Sequence, residues 1–312
     1  MVNMITMPLI EVKKIATLAG HRDCIYALEK GWTENYFFSA AGDGMVVLWD
    51  LKNPEDGVLI AKVENSVYAL KYLPESHQLL VGHNFKGIHL IDVESKKELR
   101  SAAITNSYIF DIAVVSDRVI VAIGDGSLVV LSALNLSTIA KIKLSSQSIR
   151  SISVSPDGKY IALGFSDNFI RVLDAVTLVL LYEFEAHKSS VFTVKFSPDG
   201  NFLLSASRDA HLKIWEVTNK FELKETIVAH LYTINDIAYS PDGNYFATCS
   251  MDKAIKIWDA KEFQLLKVID KARYASHGTS VNKLYWSAHF DRLVSGSDDR
   301  SISVWDIDFN SK

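Results

Sequence analysis

Cysteine is nearly absent: Cys24 and Cys249 are the only two among 312 residues. That scarcity excludes a disulfide-stapled scaffold and fits a reducing compartment. Long apolar runs are missing too. Stretches such as TLVLLYEF and SLVVLSAL break within about eight residues, where a membrane-spanning helix needs roughly 18 to 20. The opening MVNMITMPLIEVKK has no basic segment ahead of a long apolar core, so no secretory leader is expected, and the sequon Asn135-Leu136-Ser137 is expected to stay unused. Nor is there an excess of one charge. Lys and Arg total 33 against 37 Asp and Glu, a net charge of -4, which gives no overall attraction to nucleic acid or anionic lipid. The enzyme signatures GxxxxGK[ST], HExxH and GxSxG are also missing. These absences imply a cytoplasmic chain with no membrane or nucleic-acid partner, no cofactor and no metal.

What is present is a repeat. VVLWDL (Val46 to Leu51), LKIWEV (Leu212 to Val217), IKIWDA (Ile255 to Ala260) and ISVWDI (Ile302 to Ile307) are four copies of one ending. IHLIDV, LVVLSA and IRVLDA, beginning at Ile88, Leu128 and Ile170, are weaker copies. The residue after the Trp position falls at 50, 92, 132, 174, 216, 259 and 306, in steps of 42, 40, 42, 42, 43 and 47. A fixed period of this size marks a repeat architecture. Within each unit, short β-branched and aromatic segments alternate with turn residues, and no 3.6-residue period persists, so the chain reads as all-β. Ser155-Pro-Asp-Gly158, Ser197-Pro-Asp-Gly200 and Ser240-Pro-Asp-Gly243 place Pro and Gly as a hairpin turn between the first two strands of a unit requires.

These seven endings and turns resemble the WD40-repeat β-propellers, from about Ile10 to Asp308. The resemblance implies a single domain over 1–312: a seven-bladed β-propeller with four-stranded antiparallel blades, strands a to d running outward from the channel. Only IDFNSK follows Trp305-Asp306. The segment 10–18 is therefore expected to complete blade 7 and close the ring, leaving only short outer edges exposed.

His, Ser and Asp recur in a way that invites a catalytic triad. The sets are His21, Ser39, Asp43 and Trp49; His187, Ser205, Asp209 and Trp215; His230, Thr248, Asp252 and Trp258; and His277, Ser295, Asp299 and Trp305. In all four, His to Asp is 22 positions, hydroxyl to Asp 4 and Asp to Trp 6. A catalytic site is needed once, whereas a strut is needed in every blade. An indole N–H only donates, a hydroxyl accepts and donates onward, and an imidazole does both, so the set suits a buried hydrogen-bond chain. It matches the structural tetrad of WD40 proteins. Blades 2 to 4 lack it: Val81, Phe85 and Ile91 occupy the hydroxyl, Asp and Trp positions of blade 2, and Val121/Leu131 and Leu163/Leu173 flank Asp125 and Asp167. Apolar packing is expected there, with the two aspartates serving turns. His77, His83 and His89 match no common zinc spacing and read as surface histidines.

Resemblance to the family also implies that partners bind on the top rim, which carries the d-to-a and b-to-c loops. Its usual positions map to Tyr26, Tyr68, Tyr108, Phe110, Arg150, Phe192, Arg208, Asn235, Met251, Asn282 and Asp298. Tyr and Arg are enriched at binding hot spots, although aromatic rings at these places also suit packing between blades or plugging the channel. The long last step places an insertion, Lys271 to Ser276, on the same rim. The implied function is a non-catalytic scaffold or assembly subunit, a monomer by itself that binds a protein or peptide within a larger complex. The alternatives are a reader of a modified or charged peptide at the channel mouth and, in a different class, a propeller enzyme.

Overall fold

The computed structural model describes residues 10–309; the remainder of the 1–312 domain assignment lies outside the described residues. The strands form seven four-stranded sheets, each antiparallel. Six are built from consecutive strands. The seventh is ordered Glu11–Leu18, Ile302–Asp308, Leu293–Ser297, Val281–Trp286. Its outer strand comes from the N-terminal side, with Glu11 opposite Asp308 and Leu18 opposite Ile302. This is the ring closure the sequence implied.

Burial follows the stacking of blades. The second strands are nearly solid core, as in Phe37, Phe38, Ser39, Ala40 and Ala41, because a blade lies against each of their faces. Outer strands alternate, as in Leu180–Glu185, since only one face meets a neighbour. The apolar clusters therefore lie between blades. Phe38 and Val46 of blade 1 pack with Tyr72 and Leu79 of blade 2, and Ile120 and Val130 of blade 3 with Ile152 and Leu163 of blade 4. Each fully buried side chain of this size contributes about 1.5 to 3 kcal/mol.

The three Ser-Pro-Asp-Gly turns join first and second strands. In each the Ser hydroxyl donates to the Asp carboxylate and accepts the amide of Tyr160, Phe202 or Tyr245, while Gly158, Gly200 and Gly243 take φ of +70° to +75°. Gly44 is more constrained: its φ is +74°, and a Cβ there would lie 2.2 Å from the Val63 carbonyl oxygen.

The innermost strands do not pair with one another, so their channel-side amides need other partners. Side chains of the adjacent blade supply them. Asp111 accepts the Ile152 amide at 2.7 Å, Ser153 the Phe196 amide at 3.0 Å, Asp236 the Leu284 amide at 3.1 Å and Asn84 the Ile109 amide at 2.8 Å. The insertion forms a helical turn, Lys271–Tyr274, in the d-to-a connection before blade 7. It leans outward against the closing strand, where Lys14 donates to the Ala275 carbonyl at 3.0 Å. Among the described residues no helix is long and apolar enough to cross a membrane.

Candidate functional site at the mouth of the ring

The repeated polar sets come first because they could be mistaken for the site. In blade 5, the Trp215 indole N–H donates to Ser205 Oγ at 2.8 Å, Ser205 lies 2.8 Å from His187 Nε2, and His187 Nδ1 lies 3.1 Å from Asp209. Blade 1 repeats this through Trp49, Ser39, His21 and Asp43, blade 6 through Trp258, Thr248, His230 and Asp252, and blade 7 through Trp305, Ser295, His277 and Asp299. The imidazoles are buried, which lowers the basicity of His21, His187 and His230 even against the pull of their aspartates. A neutral ring with its proton on Nδ1 satisfies the whole chain. Each aspartate also accepts a loop amide, that of Arg22, Lys188 or Leu231 in blades 1, 5 and 6. With Nε2 taken by a hydroxyl that itself accepts from an indole, both the imidazole and the hydroxyl are engaged within the blade.

In blades 2 and 4 the expected apolar packing holds at Val81, Ile91, Leu163 and Leu173, and a polar chain runs beside it. In blade 4, Ser145 stands where the others have His and donates to Asp167 at 2.6 Å. Arg171 donates to Asp167 at 2.9 Å and to Glu183 at 2.5 Å, and lies over the Phe165 ring at 4.3 Å. Asp167 is therefore more than a turn residue. In blade 2, His83 Nδ1 lies 3.0 Å from His89 Nε2, and His89 Nδ1 lies 2.7 Å from Glu98. His83 is buried, and His77 is bonded to the Tyr72 hydroxyl at 2.7 Å, so these are not simply surface histidines. The sheet register opposing Val81 to His89 and Ile91 to Glu98 brings the polar chain together.

The unrepeated chemistry lies at the channel mouth. A cavity of about 330 Å³ is walled by side chains from all seven blades. Tyr26, Tyr68, Tyr108, Phe110 and Phe192 form its aromatic side, with Arg150 among them. The rings touch in sequence. Tyr26 meets Tyr68 edge-on at 4.6 Å, and Tyr68 stacks on Tyr108 and Phe110, each at 5.8 Å. The Arg150 guanidinium then lies 4.1 Å from the Phe110 centroid and 4.3 Å from that of Phe192. Burial lowers its basicity, with little counteraction from Tyr68. These rings pack on one another across blades and also line the cavity. Tyr108 remains 40% exposed.

The other side of the mouth is polar and internally bonded. Asn235 and Asn282 line the cavity, but Asn235 donates to the Val281 carbonyl at 2.8 Å, and Asn282 donates to Asp298 at 2.7 Å and to the Ile25 carbonyl at 3.1 Å. Asp298 thus positions Asn282 and does not line the cavity. Arg208 and Met251 also lie off it, both exposed on the rim. One lining residue, Lys283, and one neighbour of the aromatic row, Phe85, escaped the sequence reading. Phe85, at the turn-Asp position of blade 2, is 45% exposed with φ +62° and meets Tyr108 edge-on at 4.6 Å. An apolar residue in an exposed turn was the available signal. Lys283 lines the bottom of the cavity with its ammonium 3.3 Å from Asp236. Below it the channel carries Glu29 paired with Lys71 at 3.1 Å, together with Asp111 and Lys195.

The repeat assignment can be placed against known proteins at this point. The family model "WD domain, G-beta repeat" matches residues 12–50, 137–174, 178–216, 221–259 and 270–306, more than half of the chain. The chain belongs to the WD40 family. The unmatched interval holds blades 2 and 3, where Val81, Ile91, Val121 and Leu131 stand in tetrad positions. The WD repeat-containing protein SL1-17 of Schistosoma mansoni is 26% identical over 161 residues, 50% of this chain and 52% of that protein. The chain thus spans about half the length of this curated relative.

Proposed function

We propose that this propeller is a non-catalytic scaffold or assembly subunit that binds a protein or peptide through its top face. The observation carrying this reading is the contiguous row Tyr26, Tyr68, Tyr108, Phe110, Arg150 and Phe192, partly buried around one cavity and drawn from five blades. Aromatic and Arg anchors concentrate binding energy, and rings already stacked on one another lose little freedom when a partner arrives. WD40 propellers typically serve protein interaction, and the near balance of 33 basic and 37 acidic residues suits a protein partner better than nucleic acid or lipid. This reading makes the chain a monomeric cytoplasmic subunit of a larger complex. Repetition of the His, Ser and Asp sets in four blades supports their structural role over a catalytic one.

The test is a paired comparison of the intact protein with Tyr68→Ala/Tyr108→Ala. Partner affinity should fall by about 2 kcal/mol or more while the melting temperature changes little. Preserved affinity would move the site to another face, and a large loss of melting temperature would assign the rings to the core.

A further inference from the structure

Arg150 is the unusual residue of the mouth. Among the described residues its guanidinium has no hydrogen-bond acceptor and no carboxylate partner, whereas Arg171 of the same blade has two. The Phe110 and Phe192 rings lie 4.1 and 4.3 Å from its Cζ, and its N–H donors are left for a ligand. Contact with two rings removes much of its hydration. A guanidinium held this way matches a carboxylate, which it can bind through two parallel hydrogen bonds.

The walls decide where that carboxylate comes from. Among the described residues no Asp or Glu lines the cavity, and its second cation, Lys283, is already engaged by Asp236. At about 330 Å³ the cavity is at the small end of the range for ligand sites, and all seven blades surround it. An internal acidic residue would have to bring two flanking chain segments through one mouth, whereas a chain terminus brings one. The terminal residue also carries its carboxylate and its side chain on the same Cα, so one residue can meet Arg150 and the rings beside it.

We propose that the mouth of the propeller binds the C-terminal carboxylate of a partner polypeptide, with Arg150 as the carboxylate receptor and Tyr68, Tyr108 and Phe192 enclosing an apolar terminal side chain. This inference rests on the top-face reading and adds the chemistry of what binds there.

The experiment uses the full-length protein, immobilised, to select from two random hexapeptide libraries, one displayed with free C-terminal carboxylates and one displayed internally. Selected sequences are then synthesised as free acids and as C-terminal amides and titrated by fluorescence anisotropy. Free-acid binders should be enriched, with an apolar last residue, and should weaken at least tenfold on amidation. Arg150→Met keeps an apolar stem beside the two rings without the charge, and Arg150→Lys keeps the charge without the planar edge. Both should lose at least tenfold in affinity with melting retained. Equal binding of acid and amide, enrichment of internal acidic sequences, or full affinity in Arg150→Met overturns the carboxylate assignment. If such peptides still depend on Tyr68 and Tyr108, the top-face reading survives alone. If neither library yields a binder that depends on Arg150, Tyr68 or Tyr108, both fail.

Discussion

His187 Nε2 and Ser205 Oγ stand 2.8 Å apart, with the Trp215 indole donating to the same oxygen from 2.8 Å on the other side. One hydroxyl thus completes the bonding of two aromatic rings. Removing Asp209 would leave the buried His187 Nδ1–H without its acceptor, and removing Trp215 would leave a cavity beside Phe184 and Phe221. Asp209→Ala and Trp215→Ala should each lower stability by about 1 to 5 kcal/mol. Thermal or denaturant unfolding measures this. Unchanged melting accompanied by loss of a hydrolytic activity would overturn the structural role.

Blade 4 offers a parallel test. Arg171 bridges Asp167 and Glu183 while covering Phe165, and it is only 8% exposed. Truncation to Ala would strand a partly buried carboxylate, which costs about 3 kcal/mol. Arg171→Lys should recover only part of this, because an ammonium cannot donate in two directions in the same plane. Equal stability of the Lys variant and the parent would show that charge alone suffices.

Acid should unfold the ring from the histidines first. Burial holds His21, His187 and His230 neutral, and it does the same at His83, with His89 and Lys86 adding to it. An unfolded chain takes up protons at these rings below about pH 6.5. In that range it binds more protons than the folded state, so stability declines as pH falls and is nearly level above it. Asp252 acts lower. Burial alone would raise its pKa, but bonds from His230 and from the amides of Leu231 and Ala254 bring it to about 2. Its contribution is present above the ordinary carboxylate range and disappears as pH falls toward that value. Denaturant midpoints between about pH 8 and about pH 5 should show the first decline, and a rise in that interval would contradict the neutral-ring assignment.

Deleting residues 1 to 18 should prevent solution of a folded monomer. The truncation removes the partner of Ile302–Asp308 and uncovers Trp305, against which Lys14 lies at 5.6 Å. An unpaired strand of that length is a template for association. Size-exclusion chromatography and circular dichroism measure the result, and a cooperatively melting monomer would mean that closure is dispensable.

The ring was legible in the sequence because Trp49, Trp215, Trp258 and Trp305 mark one register of an element repeated seven times. Family resemblance then supplied the closing strand. The positions around the mouth were legible as a set, but their arrangement was not. Whether Arg150 pairs with an acid or lies against two rings depends on side chains from blades far apart in the sequence. His83 and His89 were missed for a related reason: the separation of their side chains is set by the opposition of strands in blade 2, which spacing along the chain does not reveal. Phe85 was treated as a lost aspartate, and only the proximity of Tyr108 shows it as part of an aromatic surface.

The pairing of Glu11 with Asp308 also fixes an order of events during synthesis. Glu11–Leu18 has no partner until Ile302–Asp308 has left the ribosome, although the blades between them can assemble as they emerge. Until then Glu11–Leu18 is a free strand and blade 7 lacks its outer member. Contacts this distant in sequence slow folding. The newborn chain therefore spends its longest wait with one gap in the ring, and a chaperone that shields that gap would raise the yield of folded protein more than one acting on any completed blade.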